Sequence, residues 1–307
     1  MKIFRKLLPY YNRTIEKYSK GKGYGKKRSV KKILKFFDFL FRTELIDVYG
    51  HKMYLPKKGF SEYSTKGIYG KLDTLVVEKI INEGDYVIDV GAAIGYYTLI
   101  FARLVKKNGF VIAFEPKKER FDILEKNIKI NHYSNIKTEQ KAVLRKKNEL
   151  AFFSRDDGRA GLRYLDTSTK FNKEKNFGKF IRTEVKIIDL DEYLDDLKIL
   201  ERISFMKIDV DGPELLVLES SKKLLKNKNL KILIEWDQDY SRISGCDPEK
   251  MIDLLIENDF KIFYPNYKNN KFSIITKNEL LQSNSRNTTN IICVKDITIL
   301  KSTGILE

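Results

Sequence analysis

The chain has 307 residues, and its 59 Lys and Arg against 42 Asp and Glu give a formal net charge of +17. Hydrophobic residues make up 42% of the chain, enough to bury a large core, so overall disorder is excluded. The positive charge indicates an anionic partner such as nucleic acid, acidic lipid headgroups or an acidic glycan. Cys246 and Cys293 lie far apart in the sequence, which excludes a disulfide framework and a Cys-based zinc site.

Residues 1–58 are predicted to form a basic N-terminal extension. Residues 1–35 contain thirteen Lys or Arg and one acidic residue, Glu16. Apolar residues then recur at helical spacing from Val30 to Phe41, which predicts a basic amphipathic helix. We expect this helix to pack on the main domain, or to bind an anionic membrane surface or nucleic acid. The start of the chain shows no signal-peptide pattern, so we expect a cytoplasmic protein, with peripheral membrane attachment as an alternative.

A strand, a tight loop and a helix form the first motif. Tyr86 to Val90 is a short β-branched run, and Tyr96 to Val105 repeats apolar residues at helical spacing. In an open α/β sheet such a loop lies at the carboxyl ends of the strands, where ligands bind. The predicted ligand-binding residues of this stretch are Asp89, Gly91, Ala92, Ala93 and Gly95. The carboxylate of Asp89 would repel a pyrophosphate but attract a cation such as S-adenosylmethionine; the alternative is a turn without a ligand.

A second strand, beginning at Phe110, ends in Glu115 and Pro116. An acidic residue at the end of the second strand can accept both ribose hydroxyls of an adenosine group. Asp89 and Glu115 therefore form a spaced pair, which is more specific for an adenosine cofactor than either residue alone. A third motif, Met206 to Glu214, reads MKIDVDGPE.

Together, the motifs IDVGAAIGYYT, VIAFEP and KIDVDGPE resemble the FkbM family of S-adenosylmethionine-dependent methyltransferases, in order from about Ile81 to Trp236. The resemblance implies an α/β, Rossmann-like class I methyltransferase domain over residues 59–307. Such a domain has a mostly parallel seven-stranded sheet with helices on both faces. The resemblance further implies that Pro116 lies at the cofactor and that the adenine is contacted near Ala142.

The chain departs from the family pattern at two places. Ala93 stands where the family usually has asparagine, which affects one cofactor contact. Asp211 and Pro213 replace the usual glutamate and alanine, which keeps a carboxylate but shortens its reach.

The last strands are predicted at Leu230 to Glu235, Phe260 to Tyr264 and Asn290 to Val294. The second and third of these suit an antiparallel C-terminal hairpin on the otherwise parallel sheet. Residues 154–182 have no apolar periodicity and are predicted to form a long loop, either a substrate lid or an ordinary solvated insertion.

Carboxylates cluster at the predicted ligand-binding edge. The predicted catalytic residues are Asp209, Asp211 and Glu214. Asp209 is expected nearest the methionine end of the cofactor, and Asp211 or Glu214 is expected to act as the base or to bind the acceptor hydroxyl. Glu235 ends the next strand and is predicted to face the substrate. Glu214 has an alternative role as a cap for the following helix.

A divalent metal held by Asp209, Asp211, Glu235 and Asp237 is conceivable, since hard cations bind carboxylate oxygens. The spacing matches no metal-binding loop, so a divalent metal is possible but not favoured, and no residue is assigned as a metal ligand. His51 and His132 are the only histidines in the sequence, and neither falls in a motif of a zinc or triad hydrolase.

The favoured function is O-methylation, the transfer of a methyl group from S-adenosylmethionine to a hydroxyl of a sugar or other small metabolite. The acceptor class follows from the family resemblance. One alternative is an RNA methyltransferase, supported by the basic extension alone. Another is a cofactor-binding protein without catalysis, and a dinucleotide-dependent oxidoreductase ranks last because the glycine pattern does not fit.

Overall fold

The computed structural model describes residues 45–56, 67–145, 151–155, 180–283 and 288–307. The predicted basic helix and most of the predicted long loop lie outside these residues. Among the described helices, none is long and apolar enough to cross a membrane.

The described residues form fourteen strands. They are β1 (Leu45–Val48), β2 (His51–Tyr54), β3 (Tyr86–Val90), β4 (Phe110–Phe114), β5 (Ile136–Glu139), β6 (Ala142–Val143), β7 (Ala151–Arg155), β8 (Phe180–Glu184), β9 (Ile187–Ile188), β10 (Ile203–Ile208), β11 (Lys231–Trp236), β12 (Lys261–Asn266), β13 (Lys271–Ile274) and β14 (Thr289–Val294).

The helices are α1 (Lys71–Ile80), α2 (Tyr96–Val105), α3 (Lys118–Ile130), α4 (Leu190–Asp196), α5 (Glu214–Glu219), α6 (Gln238–Ile243), α7 (Pro248–Glu257), α8 (Lys277–Gln282) and α9 (Thr298–Lys301). Short 3₁₀ turns precede β10 and β11, at Leu200–Arg202 and Leu224–Lys226.

The central sheet of the described residues has eight strands in the order β13-β12-β14-β11-β10-β3-β4-β5. Strands β11, β10, β3, β4 and β5 pair in parallel. Strand β14 is antiparallel to both β11 and β12, so β12 again runs in the direction of the parallel strands. The carboxyl ends of these strands therefore lie at one edge of the sheet, where α/β proteins bind ligands.

Successive side chains of the buried strands point to opposite faces and enter two cores. Val87 packs with Leu72 of α1 and Leu99 of α2 on one face. Ile88 packs with Met251 of α7 on the other face. These strands are nearly continuous runs of apolar residues because helices cover both sides of them.

The predicted α/β architecture with a mostly parallel sheet and helices on both faces is confirmed, but the predicted number of seven strands is wrong. The additional strand is β13, Lys271–Ile274, which forms the tight antiparallel hairpin with β12. The antiparallel pairing of β12 with β14 is present, yet these strands are not a hairpin because β13 and α8 lie between them in sequence.

The hairpin β1–β2 lies against α3 of the main domain. The backbone N–H of Tyr54 donates to Asn127 Oδ1 at 2.6 Å, and that of Lys52 donates to Asn131 Oδ1 at 3.0 Å. Residues before the predicted domain boundary at 59 thus contact the domain directly; the boundary itself stays a prediction.

Candidate active site

The glycine loop after β3 holds three strand ends together. The backbone N–H groups of Gly91 and Ala92 donate to the carbonyl oxygen of Phe114 at 3.0 and 2.9 Å. Gly91 has φ +85, and a Cβ at this position would lie 1.8 Å from the carbonyl oxygen of Asp209. Only glycine fits this position, because a side chain would have to displace the end of β10.

The end of β4 is tied to the same loop through Glu115, the predicted ribose ligand. Its Oε2 accepts the backbone N–H of Ala93 at 2.9 Å, and its Oε1 accepts that of Lys117 at 2.8 Å. The side chain is buried, and this burial raises the pKa of Glu115 to about 7, although Arg120 opposes the shift. Glu115 therefore lies where the sequence predicts, with one lone pair of each oxygen already used by the backbone.

Ala93 adopts a left-handed backbone conformation with φ +51. Asparagine tolerates this conformation better than alanine does. This preference gives a backbone reason for the asparagine that the family usually has here. In this chain the bond from the amide of Ala93 to Glu115 is nevertheless made.

The other predicted cofactor residues lie around this loop and the neighbouring strand ends. Gly95 has φ +93 and precedes the first turn of α2. Pro116 is half-buried beside Glu115. Ala142 is buried in the short parallel pair of β6 with β9, and its backbone N–H donates to the carbonyl oxygen of Lys186 at 2.8 Å. That N–H is thus already used, so a contact from Ala142 to the adenine would have to come from another of its atoms.

A row of polar side chains crosses the α1/α2-covered face of the sheet near its carboxyl edge. Asp89 of β3 is in register with Lys207 of β10, and Glu235 of β11 is in register with Asn290 of β14. Lys207 is also in register with Leu233, two residues before Glu235, so all four polar side chains share one face. Asp89 is fully buried; its Oδ2 accepts Thr98 Oγ1 of α2 at 2.6 Å.

The buried cation of this row is Lys207, which is 2% exposed. Its Nζ lies 2.9 Å from Asp209 Oδ2 and 4.9 Å from the ring centre of Tyr97. Burial by itself would lower the pKa of Lys207, but the carboxylates of Asp209 and Asp89 raise it above its usual value. Lys207 is therefore a cation held under the carboxylates and not a proton acceptor.

The turn after β10 carries the predicted catalytic carboxylates. Asp211 has φ +60, a conformation in which aspartate is enriched. Burial and the neighbouring Asp209 raise the pKa of Asp211 to about 6. Glu214 is 2% exposed, and its Oε1 accepts the backbone N–H groups of Val210 and Gly212 at 3.2 and 3.0 Å. These are the contacts expected of a residue that holds the turn, so they favour the structural role of Glu214.

Three of the predicted carboxylates converge. One carboxylate oxygen each from Asp209, Asp211 and Glu235 lies within 4.8 Å of the others; we call these residues the carboxylate cluster. Burial, and then the charges of Asp209 and Asp211, raise the pKa of Glu235 well above its usual value. Asp237 does not join them, because its Oδ1 accepts the backbone N–H of Tyr240 at 2.9 Å. That a metal is not favoured here stays a prediction.

An acid–amide pair extends the row toward α1. Asn290 Nδ2 donates to Asp73 Oδ2 at 2.9 Å, while Asp73 Oδ1 and Asn290 Oδ1 are buried without a partner. Burial raises the pKa of Asp73 to about 7, although the bond from Asn290 opposes the shift. The bond from Asn290 favours the carboxylate, but burial is the larger effect, so we conclude that burial favours the neutral acid at Asp73.

Sequence reasoning did not identify Lys207, Thr98, Asp73 or Asn290 as site residues. Lys207 gives a local signal, since it is a charged residue inside the apolar strand ISFMKI. The pair of Asp73 and Asn290 gives none, because 217 positions separate its members.

The residues present fit S-adenosylmethionine. The buried oxygens without a partner at the edge of the cluster, Asp89 Oδ1 and Glu235 Oε2, are both hydrogen-bond acceptors. Acceptors and carboxylates suit a ligand with positive charge and donor groups, such as a sulfonium and an ammonium. An anionic pyrophosphate would be repelled by the same groups, which argues against a dinucleotide.

Known proteins with similar sequences are methyltransferases. Methyltransferase 1 of Beauveria bassiana (strain ARSEF 2860) is 25% identical over 146 residues, covering 44% of this chain and 58% of that protein. Methyltransferase sdnD of Sordaria araneosa is 29% identical over 198 residues, covering 56% of this chain and 72% of that protein. The crystal structure of methyltransferase FkbM from Methylobacillus flagellatus KT is 16% identical with a TM-score of 0.39, and the match covers 68% of this chain and 43% of that one.

The chain thus spans somewhat more than half of the first relative and less than half of the crystallised protein. The family model of the methyltransferase FkbM domain matches residues 89–262, from Asp89 near the end of β3 to the second residue of β12. This match covers more than half of the 307-residue chain and includes the glycine loop, Glu115 and the carboxylate cluster. The chain therefore belongs to the FkbM methyltransferase domain family.

Proposed function

We propose that this protein transfers a methyl group from S-adenosylmethionine to a hydroxyl of a sugar or other small metabolite. The observation that carries the proposal is the carboxylate cluster at the carboxyl edge of the sheet. Asp209 of this cluster lies against the glycine loop, so closely that a Cβ at Gly91 would be 1.8 Å from the carbonyl oxygen of Asp209. A cationic methyl donor and an acceptor hydroxyl can both be held by such a cluster.

When bound, S-adenosylmethionine supplies a methyl group on a positively charged sulfur. Glu115 would hold its adenosine part, and Asp209, whose side chain is 26% exposed, would face its charged part above the buried Asp89. Asp211 is the residue that we assign to the acceptor. With its pKa raised to about 6, its carboxylate is mostly ionised at neutral pH and can take the proton of a hydroxyl.

A separate surface cavity lies at the β12–β13 end of the sheet, and none of its lining residues belongs to the carboxylate cluster. The cavity, of about 660 Å³, is lined by the β12–β13 hairpin and the start of α8, including Tyr264, Tyr267 and Ile274. Tyr267 is 55% exposed, and its hydroxyl is 2.6 Å from Thr289 Oγ1. Thr289 is paired with Trp236 where β14 runs antiparallel to β11. A volume of this size suits a small-molecule ligand.

Asp211 and Glu214 should respond differently to loss of their charge. We expect Asp211→Asn to lower kcat by about 10²–10⁴ because it removes the base, while the Kd for S-adenosylhomocysteine, which is neutral at sulfur, stays within about threefold. Glu214→Gln keeps an acceptor oxygen for the turn and should retain most of the turnover. Steady-state kinetics combined with calorimetry on both variants measures this. If Glu214→Gln loses kcat while Asp211→Asn keeps it, the roles are reversed.

The acid limb of the rate profile gives a second readout of the same assignment. Because an ionised Asp211 is required, kcat/KM should rise with pH through about 6 in the wild type. A wild-type rate that falls over this range would contradict Asp211 as the base.

The direct test of the proposal is an acceptor screen with isotopically labelled S-adenosylmethionine. The purified full-length protein would be incubated with simple glycosides, polyols and structured RNA, and labelled products identified by mass spectrometry. An O-methylated sugar or polyol supports the proposal. Label found only in RNA would contradict it, and would favour the RNA alternative.

A further inference from the structure

Lys207 is a buried, positively charged residue beside the site where the cationic ligand is proposed to bind. Its Nζ is 2.9 Å from Asp209 Oδ2, and its side chain is 3% exposed whereas that of Asp209 is 26% exposed. The ammonium is therefore enclosed by the protein while its partner carboxylate is open on one side. Its position beside Tyr97 of α2 and in register with Asp89 fixes the cation on the inner side of the carboxylate cluster.

The charge of Lys207 offsets part of the negative charge of Asp209, Asp211 and Glu235. Without it, the carboxylate cluster would hold a cationic ligand more tightly in the ground state. Methyl transfer disperses the positive charge of the sulfonium, so tighter binding of the ground state alone would slow the step. The product, S-adenosylhomocysteine, is a neutral thioether at sulfur and responds much less to the charge of the cluster.

We propose that Lys207 is a positioning residue that sets the net charge of the carboxylate cluster, and thereby the selectivity of the site between S-adenosylmethionine and S-adenosylhomocysteine. This inference rests on the proposed function, because it takes S-adenosylmethionine as the ligand. It differs from a purely structural role of the Lys207–Asp209 ion pair, which would change both affinities by the same factor.

The test is calorimetric titration of full-length variants with each of the two ligands. In Lys207→Met, the ratio of the Kd for S-adenosylhomocysteine to that for S-adenosylmethionine should rise by about tenfold or more, since a unit charge a few ångströms away is removed. Lys207→Arg keeps the charge, so its ratio should stay within about threefold of the wild type. In the same experiment kcat should fall in Lys207→Met and be largely retained in Lys207→Arg.

A second pair of variants protects the test against a folding defect, because Lys207→Met leaves Asp209 without its partner. The single variant Asp209→Asn has no carboxylate at position 209. The double variant, which combines Asp209→Asn with Lys207→Met, has two uncharged side chains in place of the ion pair. The affinity ratio of the double variant should again exceed that of Asp209→Asn by about tenfold. If each ligand binds to both proteins and the ratio of the Kd for S-adenosylhomocysteine to that for S-adenosylmethionine is the same in the two, the inference is overturned.

Absence of binding of either ligand to the folded wild-type protein would contradict the proposed function, and the inference with it. Binding of both ligands with an unchanged ratio would leave the proposed function standing and overturn the role of Lys207 alone. The two failures are therefore distinguishable.

Discussion

Replacing Gly91 with alanine should abolish binding of S-adenosylmethionine and destabilise the fold by about 3–5 kcal/mol. Two effects add in this variant. A Cβ would lie 1.8 Å from the carbonyl oxygen of Asp209, which is backbone and cannot move without shifting β10. Alanine at φ +85 is also strained, by about 1–2 kcal/mol. Chemical denaturation gives the change in the free energy of unfolding, and calorimetry gives the loss of binding.

Gly84 is the matched control for this experiment. It has φ +87, nearly the same as Gly91, but a Cβ there would meet nothing within 4 Å. Gly84→Ala should therefore cost only the conformational strain of about 1–2 kcal/mol and leave cofactor binding intact. Equal effects of the two substitutions would show that the contact with Asp209 does not decide the conformation of the loop.

Replacing Asp73 with asparagine should make the protein more stable at alkaline pH, by up to about 4 kcal/mol. The pKa of Asp73 is raised from 3.8 to about 7 in the folded state. A group with a raised pKa contributes stability that is fully present below about pH 4 and is lost as the pH rises through about 7. Asparagine cannot ionise, and its side-chain oxygen can accept Asn290 Nδ2 as Asp73 Oδ2 does, so Asp73→Asn should keep this contact at all pH values.

The measurement is the free energy of unfolding of both proteins from about pH 5 to pH 9. The buried acids Glu115 and Glu214 also have pKa values raised to about 7, but they are present in both proteins and cancel in the difference. Asp47→Asn, at an exposed strand position, serves as the control for an ordinary change of charge. Parallel curves for Asp73→Asn and the wild type would contradict a neutral Asp73.

Much of the fold and the location of the site can be predicted from the sequence because the signals are local. The glycine loop, the apolar strand before it and the helical periodicity after it lie within about twenty residues, and each follows from backbone geometry. Strand β13 is missed because it has only four residues, Lys271–Ile274. Its partner β12 shows the apolar run that is typical of a strand.

The details of the site depend on contacts between distant residues. Asp73 lies in the first turn of α1, where an acid is common, and nothing nearby indicates its bond to Asn290. Glu214 offers two compatible roles in the sequence, and the backbone N–H groups that it accepts are visible only once the turn is folded. Lys207 shows a signal, since a charge within a buried strand requires a partner, but the sequence does not specify which carboxylates surround it.

We propose that the carboxyl edge of this sheet binds S-adenosylmethionine. The first experiment is calorimetric titration of the full-length protein with S-adenosylmethionine, S-adenosylhomocysteine and NAD under the same conditions. We expect saturable binding of the first two ligands and none of NAD, because the acceptor oxygens and carboxylates of the site repel a pyrophosphate. Binding of NAD alone, or of no ligand by a protein shown to be folded, would contradict the assignment of this site.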